Sequence, residues 1–237
     1  MSDIWAVIPW AVIGPVEPAN RNQPLPGVAI EFAAPVSGFD LADLSLTRDG
    51  GPNLLTAAQT LTTIDHRQWW LGNLWDLTAV AGAYQLQLLA AGSGITTAPA
   101  VPLLDGAVVS WTLDDQRPQV TSISLAGPAP GASPDRLVVE FSEAIQGASL
   151  TGLTLSRDGG ANLLGSDTPA NVSGSLLTLS GLGARLAIPG EYRFQLNASA
   201  SSLRDGAGNR VAADDEHVWQ TEAAVVLQVG ADGSTQL

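Results

Sequence analysis

Few side chains in this sequence could do chemistry. It has two histidines, His66 and His217, and no cysteine. Thiolate nucleophiles, thiolate zinc sites and disulfide frameworks are therefore excluded together. No G-x-S-x-G nucleophile elbow occurs, so a Ser-His-Asp set would have to be assembled from distant parts of the chain. Twenty-three acidic residues offer many carboxylate pairs of the glycosidase kind, and nothing singles one out. The chain reads as a non-enzyme that requires no cofactor. The densest group of oxygen donors is Asp205, Asn209, Asp214 and Asp215, followed by Glu216. Calcium takes ligands from such groups when short loops converge them, which makes these four a candidate metal set. The competing reading is structural: Asp205-Gly206 and Gly208-Asn209 are strong turn formers, and Arg204 and Arg210 flank the loop and weaken cation binding. The remaining candidates are tryptophans, seven in all, of which Trp5, Trp10, Trp70 and Trp75 form a candidate ligand or partner surface.

Composition narrows the partners. The chain has 237 residues, 45% hydrophobic and 14% charged, with a formal net charge of -13. Every basic residue is arginine. An acidic surface repels nucleic acid and anionic membranes, so neither is an expected partner. No apolar run approaches the ~20 residues of a membrane-spanning helix, and no membrane insertion is expected. Ile4–Gly14 resembles the apolar part of a signal peptide, but no cationic residue precedes it and Pro9 interrupts it. No small-residue cleavage site follows, so it reads as mature chain.

The elements that must position these side chains come in two copies. Val28–Leu55 and Leu137–Leu164 align without a gap at an offset of 109, with 13 of 28 positions identical. Gly82–Leu88 matches Gly190–Leu196 at an offset of 108, and Trp111 matches Trp219. A unit of ~108 residues is the size of a small sandwich domain. The division is residues 1–10 as an apolar N-terminal segment, 11–115 and 116–222 as the repeats, and 223–237 as a C-terminal extension. Arg117-Pro118 marks the junction, with no Gly/Ser-rich linker.

Inside each copy the hydrophobic period is two. Val28, Ile30 and Phe32 alternate with Ala29 and Glu31, and Tyr192, Phe194 and Leu196 with Arg193 and Gln195. Turn signals separate these runs at Asp49-Gly50-Gly51, Asp158-Gly159-Gly160, Ala81-Gly82 and Pro189-Gly190. The shared Arg-Asp-Gly-Gly stretch is a tight hairpin, not an integrin tripeptide. Many short strands at regular spacing predict antiparallel β-sandwiches.

The second copy opens with Pro118-Gln119-Val120. It continues through Phe141-Ser142-Glu143-Ala144-Ile145 and Gly190-Glu191-Tyr192 to Asp205-Gly206-Ala207-Gly208-Asn209. This resembles the bacterial Ig-like domains that occur in tandem in surface-layer, adhesin and large secreted proteins. The resemblance covers both copies. It implies an all-β fold of two tandem Ig-like antiparallel β-sandwiches, a structural or adhesive role, and an extracellular or cell-surface location. Some relatives with the Asp-x-Ala-Gly-Asn loop bind calcium at domain ends. The first copy departs there, with Thr97 and Val101 at the positions of Asp205 and Asn209. Two alternative roles stay open: a carbohydrate-binding module using exposed tryptophans, and a subunit of a fibre or layer formed by strand addition.

Two further expectations concern placement. Trp69 shares a strand face with Leu71 and should turn inward, leaving Trp70 outward and Trp75 in the next turn. Trp70 and Trp75 then need a cover, from the Trp5/Trp10 segment, a protein surface or a sugar face. Ile4–Ile8 and Val225–Val229 are strand-prone and should add to a sheet edge, within the chain or on another copy as a homo-oligomer.

Overall fold

A computed structural model describes residues 10–129 and 132–222, with the backbone of Gln228–Val229 and Thr235–Gln236. It divides into two compact units, Met1–Asp115 and Gln116–Leu237.

The first unit has eleven described strands. They are β1 (Ala11–Ile13), β2 (Asn20–Arg21), β3 (Gly27–Phe32), β4 (Val36–Ser37), β5 (Leu44–Arg48), β6 (Thr60–Thr63), β7 (Gln68–Gly72), β8 (Gly82–Leu88), β9 (Thr96–Thr97), β10 (Val101–Pro102) and β11 (Ala107–Leu113). One sheet runs β1-β3-β7-β6, the facing sheet β2-β11-β8-β5, and a short third sheet β10-β9-β4. The second unit has β12 (Val120–Ala126), β13 (Arg136–Phe141), β14 (Leu153–Arg157), β15 (Ala170–Ser173), β16 (Leu176–Leu179), β17 (Gly190–Leu196) and β18 (Asp215–Thr221). Its sheets are β12-β13-β16-β15 and β14-β17-β18. Lettered A to G in chain order, these seven strands form an ABED sheet against a CFG sheet. That is the order of an Ig constant-type sandwich, and the main strands of the first unit repeat it. Both units are Ig-like sandwiches.

The sandwich follows from the two-residue period. Along β8 the odd members Tyr84, Leu86 and Leu88 are buried while Gln85 and Gln87 are exposed. Along β17, Tyr192, Phe194 and Leu196 are buried in the same way. The buried positions recur between copies: Val28 with Leu137, Phe32 with Phe141, Leu46 with Leu155, Leu71 with Leu179. Each such side chain, fully removed from water, contributes roughly 1.5–3 kcal/mol. The two cores are separate clusters, one drawn from Ile13 through Leu113 and the other from Leu137 through Val211.

In place of an inter-sheet disulfide, each unit has a tyrosine corner. The Tyr84 hydroxyl donates to the carbonyls of Val80 (2.6 Å) and Leu77 (3.2 Å). Tyr192 does the same to Ile188 and Arg185. Each ring also stacks on the tryptophan facing it from the next strand, Trp111 or Trp219, with centroids 5.4 Å apart. Among the described residues no helix is long and apolar enough to cross a membrane. Of the two strand-prone ends, Ile4–Ile8 lies outside the described residues. Of Val225–Val229 only Gln228–Val229 is described, and it pairs antiparallel with Thr235–Gln236.

Candidate functional site

The acidic loop of the second unit closes on itself. Asp205 is 2% exposed, and its carboxylate accepts two hydrogen bonds from Asn209, one from the backbone N–H and one from the side-chain amide, each 2.8 Å. The Asp205 N–H returns a bond to the Asn209 carbonyl at 3.0 Å. These donors satisfy a buried polar side chain that would otherwise be costly to desolvate. Glu143, absent from the sequence-based set, brings a carboxylate oxygen within 4.8 Å of that of Asp205. Its place in Phe141-Ser142-Glu143 was the only sequence signal for it. Asp214 and Asp215 are elsewhere. Asp214 is exposed and accepts the Ala198 N–H at 2.8 Å, while Asp215 begins β18 opposite Leu196. Among the described residues neither joins Asp205 in a cluster tight enough to hold one ion. The structure brings together Asp205 with Asn209 and Asp214 with Asp215, but not all four.

The repeated Arg-Asp-Gly-Gly stretch is a structural device in both units. Asp49 and Gly50 have φ of 53° and 70°, and Asp158 and Gly159 have 51° and 69°. The Gly51 and Gly160 N–H groups close the turn onto Arg48 and Arg157. Positive φ at both central residues is a type I′ turn, for which Asp-Gly is favoured. The aspartate then reaches the adjacent strand: Asp49 accepts the Ala83 N–H and Asp158 the Glu191 N–H, at 2.8 and 2.9 Å. Gly82 and Gly190 have φ of 150° and 152°, which side-chain-bearing residues rarely adopt, and a Cβ on either would come within 2.6–2.7 Å of those carboxylates. Downstream, Asn53 accepts the Leu46 and Leu55 N–H groups, and Asn162 those of Leu155 and Leu164. These asparagines satisfy the outer edges of β5 and β14, which are the last strands of their sheets.

The tryptophans separate as their alternation predicts. Trp69 is half-buried and packs edge-on against Phe39, with centroids 5.0 Å apart. Trp70 is 45% exposed, Trp75 50% and Trp10 47%, while Trp5 lies outside the described residues. Trp75 precedes the single turn Asp76–Thr78, and Trp10 precedes β1, its carbonyl accepting the Ala33 N–H at 2.9 Å.

Trp70 has a cover that composition did not suggest. Its ring lies against the paired glycines Gly27 and Gly72, so that a Cβ on Gly27 would meet the indole at 2.6 Å and one on Gly72 at 3.3 Å. An aromatic ring laid over glycines in a sheet restores packing that they cannot supply. The internal repeat carried the signal: at these three positions the second copy has Arg136, Thr178 and Ser180. Trp70 also borders an open groove of about 430 Å³ with Ala29, Glu31, Thr62 and Gln68 among its walls. The two histidines are on separate elements: His66 is in the turn before β7, with φ 58°, and His217 is on β18.

No protein-family model matches the chain, and no curated protein matches it. Solved structures do. The I-band fragment I67-I69 from titin is 12% identical over 90% of this chain and 64% of that fragment, with a TM-score of 0.35. The chain thus spans just under two thirds of that structure. Titin Ig tandem domains A164-A165 are 13% identical over 86% of this chain and 90% of theirs, with a TM-score of 0.25. The titin domains z1z2 in complex with telethonin are 14% identical over 84% and 87%, with a TM-score of 0.24. The likeness is one of fold: this chain is similar to Ig domains joined in series.

Proposed function

We propose that the chain is a non-enzymatic spacer and adhesive module of a bacterial surface or secreted protein, a pair of Ig-like sandwiches that sets a distance and offers one binding face. The observation that supports this is what the repeat preserves. The residues kept in both copies (Asp49 and Asp158, Asn53 and Asn162, Gly82 and Gly190, Tyr84 and Tyr192) all hold turns, edges or corners. What is duplicated is scaffold. Among the exposed positions that differ between copies, Trp70 and Trp75 are the large aromatics of the first unit.

The carbohydrate-binding reading is favoured by one feature, the partly exposed Trp70 bordering a groove with Glu31, Gln68 and Thr62 in its walls. An aromatic plane ringed by hydrogen-bonding groups suits a sugar face. The experiment is binding of the whole chain to a panel of polysaccharides and surface proteins, with Trp70→Thr and Trp75→Gly beside it. Loss of binding in these variants supports an adhesive face on the first unit. Binding that both variants retain would move the face elsewhere.

A further inference from the structure

The two units differ at one sheet edge. In the first unit β11 has a neighbour on each side, β8 and the parallel strand β2, which pairs Asn20 and Arg21 with Thr112 and Leu113. In the second unit the equivalent strand β18 pairs only with β17, and its outer edge carries no partner among the described residues. The sequence accounts for this. The position that matches Asn20 is Ala129, which lies in a bend and not in a strand, with Pro128 just before it, and proline has no N–H to give to a ladder.

Burial records the missing strand. On β11, Trp111 and Leu113 are fully buried. Their counterparts on β18, Trp219 and Thr221, remain half-buried. The Trp219 indole N–H is out of contact with solvent and without a hydrogen-bond partner. Val218, on the other face, is 41% exposed. A seven-residue open edge bearing a valine and a half-covered tryptophan is a template for another strand.

The sequence of this edge is complementary to itself. Laid antiparallel on a second copy about a two-fold axis at Val218, Asp215 faces Thr221, Glu216 faces Gln220, His217 faces Trp219, and Val218 faces Val218. No like charges are opposed. The single acidic residue near the centre, Glu216, is already neutralised by Arg193 and accepts a bond from Gln195. Aromatic and β-branched residues occupy the middle, where cross-strand pairs stabilise a sheet most.

We propose that β18 is a homodimerisation edge, pairing antiparallel with β18 of a second copy to make one continuous sheet β14-β17-β18-β18-β17-β14. The occupant is a second copy of this chain because the register is isologous, as a closed two-fold interface requires. The proposal goes beyond the spacer reading, which holds for a monomer as well as for a dimer. The net charge of -13 opposes the encounter at long range, so salt strengthens the dimer.

The test is sedimentation of the whole chain across concentration, at low and at physiological salt. The expected result is a monomer–dimer equilibrium that tightens with salt. Val218→Arg sets two like charges face to face and should weaken it by roughly tenfold or more. Ser110→Arg, at the matching place on the covered strand β11, should leave it unchanged. Because the chain has no cysteine, Val218→Cys gives a second readout. Under mild oxidation it should yield a disulfide-linked dimer, faster than Ser110→Cys. A monomer at every concentration and salt would overturn the proposal. So would a dimer indifferent to Val218→Arg, or equal cross-linking rates for the two cysteine variants.

Discussion

Asp43 shows how one side chain can weigh on stability in the opposite sense to its neighbours. It is 6% exposed, and its carboxylate accepts the Asp40 N–H at 2.9 Å, completing a capping box ahead of β5. Burial pushes its pKa up, the Asp40 N–H pulls it down, and the Asp40 charge adds to the rise. Glu216 and Asp65 move the other way. Hydrogen bonds from the Arg193 and Gln195 side chains lower Glu216, and the Gln68 and Arg67 N–H groups lower Asp65. The signs follow from linkage. At Glu216 and Asp65 the stabilisation is present above the unfolded carboxylate range, about pH 4, and is lost as pH falls through the depressed folded values. At Asp43 the folded state holds its proton more tightly, so falling pH favours folding. Asp43→Asn keeps an acceptor for Asp40 and removes the buried charge. The first unit of that variant should melt no lower than wild type at pH 7. Any advantage should shrink as pH falls and the wild-type carboxyl, its pKa raised by burial, takes up its proton. A lower melting point at pH 7 would mean that the charge, not the acceptor, holds the cap. None of this was legible in the sequence, where Asp43 is one acidic residue among many. Its burial depends on where Leu44 and Leu46 carry the chain.

At the scale of elements, the alternation of β7 was readable and its consequence was not. Trp69 and Trp70 fall on opposite faces because strand neighbours must, and the exposures agree. That Trp70 lies across Gly27 and Gly72 needs the pairing register of β3 with β7, which brings residues 45 apart side by side. Trp70→Thr should destabilise the first unit by roughly 0.5–2 kcal/mol, since it uncovers two strand glycines. Adding Gly72→Ser gives the residue of the second copy and should recover part of that loss, whereas Gly27→Arg should not, because a Cβ there clashes with the Leu71 carbonyl with or without the ring. Recovery is a coupling that independent sites would not show. Chemical denaturation of the three proteins measures it. If Trp70→Thr with Gly72→Ser is no more stable than Trp70→Thr alone, the ring is not serving that glycine. The edge asparagines followed the same pattern. Asn53 and Asn162 stood out only as members of an identical Asn-Leu-Leu, and their bonds to β5 and β14 appear once the chain has turned back.

For the whole molecule, the separation of the two hydrophobic clusters is the governing fact. Every buried apolar side chain of one lies before Asp115 and every one of the other after Gln116. Each unit also has its own tyrosine corner and its own type I′ turn. A fragment Gln116–Leu237 should therefore fold alone and melt in one cooperative step, with a calorimetric enthalpy of about 60–80 kcal/mol for a domain of this size. Residues 1–115 should do likewise. Scanning calorimetry of the two fragments checks this. A fragment without a cooperative transition would show that a sheet depends on residues from the other unit.

The sequence by itself determined the strand class, the internal repeat and which positions face each core. All three depend on local order along the chain: side chains alternate across a strand, and a repeat preserves the alternation. It also carried the resemblance to Ig-like domains, and the strand order agrees with the fold that this implied. Only the tertiary structure decided what meets what. It drew Asp205 onto Asn209 and set Asp214 apart, brought Glu143 near Asp205, and laid Trp70 over two glycines. Among the described residues it also left β18 without the neighbour that β11 has. Apart from Asp205 and Asn209, which are four positions apart in one loop, these outcomes turn on strand register and sheet order, which pair residues tens of positions apart. No window of sequence short enough to show a period can contain them.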